Sequence, residues 1–168
     1  MPAQLAVVSD THIPSRAERI PDWVAERIRA ADHVVHAGDF DSLDAYDRVV
    51  ELAGGAANLT AVAGNIDPRS FDLPEVTTFD VEAVRFVVTH GSGPRAGYRD
   101  RVAATVHEVA DSDAIGISGH THEVLDDVVD GVRLLNPGSA TGAAPADETT
   151  MYTITVEGSD VSVTLHRE

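Results

Sequence analysis

The residues best able to do chemistry in this sequence are aspartates, histidines and one asparagine, and they recur directly behind short apolar runs. Ala6-Val7-Val8 is followed by Ser9-Asp10-Thr11-His12, and Val34-Val35 by His36-Ala37-Gly38-Asp39. Ala61-Val62 leads into Ala63-Gly64-Asn65-Ile66-Asp67, Val87-Val88 into Thr89-His90-Gly91, and Ile115-Gly116-Ile117 into Ser118-Gly119-His120-Thr121-His122. Carboxylates, imidazoles and amide oxygens suit hard or borderline divalent cations. Two such ions held side by side need a shared anionic ligand to lower their repulsion, and Asp39 is the candidate bridge. Asp10 and His12, two residues apart at a strand end, point to one side and would chelate one ion together with His122. Asn65, His90 and His120 would supply the other, with Asp39, Asn65 and His90 also the candidate catalytic residues. Two carboxylates leave two dications under-neutralised. Even with a hydroxide between the ions a formal charge of about +1 remains, which attracts an anionic phosphoryl group.

Groups so far apart in sequence converge only if the elements between them bring strand ends to one edge. The runs Leu5 to Val8, His33 to Val35, Leu59 to Val62, Phe86 to Thr89 and Ala114 to Ile117 are short and rich in β-branched residues, so they are expected to be strands. Their apolarity is continuous rather than alternating, as in a sheet covered on both faces. Helical spacing appears at Pro21 to Ala31 (Val24, Ile28, Ala31), at Ser42 to Ala53 (Leu43, Tyr46, Val50, Ala53), and at Tyr98 to Ala110 (Tyr98, Val102, Val106, Val109). Asp41 or Ser42 would cap the second helix and Gly54-Gly55 would end it. The last third alternates more strictly, at Glu123 to Val129, Val132 to Leu135, Thr149 to Val156 and Val161 to His166, with turns at Asp130-Gly131 and Gly158-Ser159. Asp67 to Pro74, Gly91 to Gly97 and Asn136 to Thr150 read as loops. The expected architecture is two packed sheets with helices outside, in one domain over residues 1–168, where the carboxyl ends of parallel strands share an edge.

Composition narrows the function. The 168 residues carry 28 acidic and 12 basic groups, a formal net charge of -16, and every basic residue is arginine. Such a surface opposes long nucleic acids and anionic membranes, and it fits a host with a salty cytoplasm, where molar salt shortens the Debye length to about 3 Å. With no cysteine, thiolate ligands, thiolate nucleophiles and disulfides are all excluded. The start of the chain has no basic stretch before its apolar run, and no run is long and apolar enough for a spanning helix, so a cytoplasmic protein is expected.

The set Asp10-x-His12, Gly38-Asp39, Gly64-Asn65, His90-Gly91 and Gly119-His120-Thr121-His122, followed by Asn136-Pro137-Gly138-Ser139, resembles the calcineurin-like metallophosphoesterase superfamily. In length the chain is similar to its small single-domain phosphodiesterase branch. The resemblance implies a four-layer α/β/β/α sandwich of two mixed sheets and a binuclear centre, with Mn²⁺ as the foremost candidate and Ni²⁺, Zn²⁺, Fe²⁺ or Mg²⁺ as alternatives. By that likeness Asp10, His12, Asp39 and His122 hold one ion, and Asp39, Asn65, His90 and His120 the other. A hydroxide bridging the ions would attack a small phosphoester in line with the leaving group. Larger members carry a histidine after the asparagine; here Ile66 stands there, which favours substrates with good leaving groups. Ser92 likewise replaces a histidine that many small members carry after His-Gly. The competing functions are a non-catalytic scaffold of the same fold, against which the full ligand set weighs, and a nuclease, against which the charge weighs. The sequence leaves a homo-oligomer open.

Other residues have plainer readings. His36 is either an orienting neighbour of the ligands or a strand-end histidine satisfied by backbone. Asp67 either bonds near Asn65 or shapes a turn with Pro68, while Arg69, Arg95 and Arg99 are placed on loops within reach of a substrate phosphate. His33, His107 and His166 are expected at surfaces or element ends.

Overall fold

A computed structural model of the chain describes residues 2–111 and 113–168. In chain order its elements are β1 (Ala3–Val8), α1 (Asp22–Ala30), β2 (His33–His36), α2 (Leu43–Ala53), β3 (Leu59–Ala61), β4 (Val76–Val81), β5 (Val84–Thr89), α3 (Tyr98–Val109), β6 (Ile115–Ile117), β7 (Val124–Val129), β8 (Val132–Pro137), β9 (Thr150–Glu157) and β10 (Asp160–Arg167). The strands form two five-stranded sheets, ordered β10-β9-β1-β2-β3 and β4-β5-β6-β8-β7. Each sheet has three parallel strands, β1, β2 and β3 in one and β5, β6 and β8 in the other. Antiparallel strands flank them.

Period-two alternation distributes the apolar side chains between two layers of core. Leu5, Val7, Val35, Phe86, Val88, Ile117, Leu135 and Ile154 pack between the sheets. Ala6, Val8 and Val34 turn the other way, against Val24 and Ile28 of α1 and Val49 and Leu52 of α2. On the far side, Val87 and Leu134 meet Tyr98, Val102 and Val106 of α3. The result is the expected α/β/β/α sandwich. Gly116 lets α3 approach closely, since a Cβ there would lie 2.8 Å from Leu134 and 2.9 Å from Val106.

Three expectations need correction. The buried face of α2 is Ala45, Val49 and Leu52, and Leu43 is 57% exposed. An Asp-rich helix with apolar residues on two sides does not reveal by spacing alone which side meets the sheet. In α3 the face ends at Val106, and Val109 is 45% exposed. The strand β4 was not anticipated. It pairs with β5 through a two-residue turn at Glu82-Ala83, where Glu82 takes φ +53° in place of the usual Asn or Gly signal.

Candidate metal centre

Seven candidate ligands sit beyond the carboxyl ends of β1, β2, β3, β5 and β6, three on one sheet and four on the other. The chain reverses sharply there. Asp10 (φ 53°), His12 (φ 45°), Asp39 (φ 64°), His120 (φ 74°) and His122 (φ 62°) all adopt the left-handed conformation that non-glycine residues avoid. Strain of order 1–3 kcal/mol each persists only where the surroundings over-determine it, and here it turns five of the seven groups into one cleft.

Two triads result, Asp10-His12-His122 and Asp39-His90-His120, each with its ligand atoms within 4.8 Å of one another. Asp39 Oδ2 lies 3.5 Å from His12 Nε2 and 3.0 Å from His90 Nε2, between the triads. Asp10 Oδ1 lies 3.3 Å from His122 Nε2, 3.6 Å from His12 Nε2 and 3.8 Å from His90 Nε2. Asn65 Oδ1 is 3.1 Å from His120 Nδ1 and so completes the second group.

Each imidazole is pinned through its other nitrogen. His12 Nδ1–H donates to Asp41 Oδ1 at 2.8 Å, His90 Nδ1–H to Ala37 O at 2.7 Å, and His122 Nδ1–H to Ala143 O at 2.8 Å. His120 is turned round, with Nε2–H donating to Gly93 O at 2.8 Å. Four ring nitrogens therefore face two carboxylates, and His12 Nε2 approaches His122 Nε2 to 3.2 Å. Asp10 Oδ1 is buried without a hydrogen-bond partner, and His90 Nε2 faces the Asp39 carboxylate at 3.0 Å. Such a concave set of ring nitrogens and carboxylates is held together by protons or by cations, and its ligand types suit first-row divalent ions.

Packing around the carboxylates explains the dipeptide signatures. A Cβ on Gly64 would come within 2.0 Å of Asp39 Oδ1, one on Gly119 within 2.6 Å of Asp10 Oδ2, and one on Gly38 within 2.7 Å of His90 Nδ1. Asp10 Oδ2 accepts from Ser9 Oγ at 2.7 Å and from His120 N at 3.1 Å, leaving Oδ1 free for the cleft. Asp67 does more than shape a turn. Its Oδ2 accepts from Asp39 N (2.8 Å) and Gly64 N (2.9 Å), and its Oδ1 from Phe40 N (2.7 Å) and Asp41 N (3.0 Å). Asn136 Nδ2 donates to Gly119 O at 2.9 Å and Thr121 Oγ1 at 3.0 Å, which fixes the His120-His122 loop.

The sequence profile of the calcineurin-like phosphoesterase superfamily domain matches residues 4–159. The chain belongs to that superfamily. A probable metallophosphoesterase of Methanothermobacter thermautotrophicus is 33% identical over 148 residues, covering 88% of this chain and 83% of the relative. A phosphodiesterase of Methanocaldococcus jannaschii is 27% identical over 83% of this chain and 85% of its own. The crystal structure of Vps29 from Chaetomium thermophilum superposes with a TM-score of 0.81, over 99% of this chain and 97% of that one, at 18% identity, which shows the fold.

Within this phosphoesterase-superfamily chain, several supporting residues escaped sequence reasoning. Asp41 orients His12, for which the spacing Asp39-x-Asp41 was the available signal, whereas Ser42, one of the two expected caps, does cap α2 by accepting from Ala45 N at 3.1 Å. The carbonyls of Ala37, Gly93 and Ala143 carry no side-chain signal at all. His36 follows the plain reading: Nδ1 accepts from Gly38 N at 3.0 Å, Nε2–H meets Thr11 Oγ1 at 3.2 Å, and the ring stacks on Phe40. Arg95 and Arg99 are engaged, with Glu123 at 2.6 Å and Asp127 at 3.1 Å, and Arg99 lies in α3 rather than a loop. His33 and His166 bond Thr60 and Thr153, and His107 the Asp130 carbonyl.

Without metal the cage stores protons. Burial alone would lower His90, but its hydrogen bond to Asp39 and the charges of Asp10 and Asp39 overcome this and raise it from 6.5 to about 9. Burial also works against His12, which Asp10, Asp39 and Asp41 raise. Burial would raise Asp10, yet His12, His122 and the charge of His90 hold it well below the carboxylate range. A histidine raised on folding stabilises fully below its unfolded pKa of 6.5, and that stability is lost as pH rises through about 9. For His90 the difference is worth about 3 kcal/mol. His36, lowered by burial to about 3, acts only below 6.5. The unfolding temperature of chelator-treated protein is therefore expected to fall from pH 6.5 to 9, and that of metal-loaded protein to rise as cations replace the protons. Calorimetry at fixed ionic strength checks both slopes; a metal-free midpoint that climbs across this window would contradict the arrangement.

Proposed function

We infer that the protein is a two-metal phosphodiesterase acting on small phosphoesters. The observation that carries the reading is the cage itself, in which four imidazoles, each pinned through one nitrogen, direct the other at the Asp10 and Asp39 carboxylates while the buried Asp10 Oδ1 has no hydrogen-bond partner. Asp10, His12, Asp39 and His122 would hold one ion, and Asp39, Asn65, His90 and His120 the second. Bound there, divalent ions supply Lewis acidity toward the phosphoryl oxygens and lower the pKa of water into the neutral range. The protein does the rest by orientation. Asp41 and the carbonyls of Ala37, Gly93 and Ala143 fix the ring tautomers, and the Asp67 carboxylate holds the backbone that presents Asp39.

Asn65 is exposed and His120 half-buried, whereas Asp10, His12 and His90 are enclosed, so substrate approaches from the Asn65 side. There Ile66, 45% exposed, offers no proton to a departing alkoxide. Esters of acidic alcohols and phenols are favoured accordingly. The relative named a phosphodiesterase supports the diester reading. The net charge of -16 speaks against a long polyanionic substrate.

The test is to load the protein with Mn²⁺, count metal by elemental analysis and follow hydrolysis of aryl phosphodiesters of graded leaving-group pKa. About two ions per chain are expected, with turnover abolished by chelation, restored by Mn²⁺, and falling steeply as leaving-group pKa rises. A folded protein that takes up no metal and turns nothing over would overturn the reading in favour of a scaffold.

A further inference from the structure

His120 is less enclosed than Asp10, His12, His90 and His122, being only half-buried where they are buried. What aims its ring is the Gly93 carbonyl, which takes the Nε2–H at 2.8 Å and turns Nδ1 toward Asn65. Gly93 lies in a stretch between β5 and α3 that has no strand partner, and both Gly91 (φ 83°) and Gly93 (φ 127°) take conformations that leave the backbone free to bend. Side chains tie this segment down, Arg95 Nη2 donating to Thr121 O at 3.1 Å and Arg101 holding it from α3.

Arg101, near the start of α3, reaches both ends of it. Its Nη2 donates to Gly91 O at 3.0 Å and to Pro94 O at 3.0 Å. A Cβ on Gly93 would lie 3.0 Å from the guanidinium carbon, so the loop rests against the guanidinium itself. Tyr98 stands 6.0 Å from that carbon and is itself fixed by Ser118 Oγ at 2.5 Å and Gly119 O at 2.7 Å. A planar cation with several donors suits this two-carbonyl grip better than an ammonium does.

We propose that Arg101 is a positioning residue for the second cation, acting through the Gly91–Pro94 loop and the Gly93 carbonyl to set the tautomer and direction of His120. This rests on the two-ion reading of the site. The other three imidazoles hang on Asp41, Ala37 and Ala143, none of which Arg101 contacts, so its removal acts on one ion and spares the other.

The experiment is a calorimetric Mn²⁺ titration of metal-free wild type, Arg101→Ala, Arg101→Lys and Arg101→Met, the last keeping an unbranched apolar stem. Wild type is expected to bind in two steps. In Arg101→Ala and Arg101→Met one of the two steps shifts about 10- to 100-fold to higher Kd and the other stays put, with Arg101→Lys between. Imidazole ¹⁵N shifts of His120 in the metal-free protein give a second readout, the Nε2–H form in wild type giving way to a tautomer mixture in the variants. Two unaltered steps in the variants, or an equal loss in both, would overturn the role of Arg101. A wild type that binds fewer than two ions would instead overturn the two-ion reading. Should the variants not fold, the wild-type ¹⁵N spectrum still decides, because a His120 protonated at Nδ1 breaks the link through Gly93.

Discussion

Asp39→Asn is expected to leave the protein folded while lowering kcat/KM for an aryl phosphodiester on the order of 10³-fold or more, beyond the loss from removing a single stabilising donor. The substitution keeps the shape of the side chain and an oxygen able to accept from Ile66 N, which now lies 2.9 Å from Asp39 Oδ1. It replaces Oδ2, the atom nearest both His12 and His90, with an amide whose hydrogens point where a cation belongs. Charge leaves the cage at the same time. Bound Mn²⁺ should drop from about two ions per chain to about one or none, since the remaining groups no longer share an anion between two dications. Elemental analysis and steady-state kinetics on the same preparation check both halves. Retained metal with retained turnover would show that Asp39 is not the bridging group.

Asp67→Ala should destabilise the protein strongly although Asp67 lies outside the ligand set. Four backbone N–H groups, those of Asp39, Phe40, Asp41 and Gly64, donate to its two oxygens at 2.7 to 3.0 Å. Buried donors left without partners cost about 1–3 kcal/mol each, and water entering the vacated space recovers part of that, so a net loss of about 3–5 kcal/mol is expected. For a chain of this length each kcal/mol moves the midpoint about 2–4 °C, giving a fall of roughly 6–20 °C. Asp67→Asn separates shape from acceptor count. It retains one acceptor oxygen and sets an NH₂ against two of the four N–H groups, so it should rescue little. Thermal unfolding of the metal-free proteins measures this without interference from the ions, and an Asp67→Asn variant as stable as wild type would show that the N–H groups find other partners.

The candidate site was more legible in the sequence than the groups that support it. Asp10, His12, Asp39, Asn65, His90, His120 and His122 are each a chemically distinctive residue behind a β-branched run, and the rule that parallel strands share an edge is enough to gather them. The strand runs themselves stood out because burial on both faces demands unbroken apolarity, as in Leu5 to Val8. The strand Val76–Val81 did not, because it is an edge strand with a mixed Thr and Asp face and a turn at Glu82-Ala83 that lacks the usual residues. Helix faces were read less well, since Leu43 and Val109 satisfy the spacing yet face solvent. Asp41 looked like a cap and proved to be the partner of His12, a role that depends on a contact across 29 positions. Backbone carbonyls such as Gly93 O lie beyond any reading of side-chain type.

Each triad draws from both sheets: Asp10 and His12 follow β1 while His122 follows β6, and Asp39 follows β2 while His90 and His120 follow β5 and β6. Any cation seated there would act as a rivet through the seam between the halves of the sandwich, at the end where their strands finish. Its withdrawal would leave that margin to fewer links, among them the bonds from His90 Nδ1 to Ala37 O and from His120 N to Asp10 Oδ2. Amides bordering the seam at Gly38, Gly64 and Gly119 would then be the first to exchange with solvent, ahead of the strands behind them.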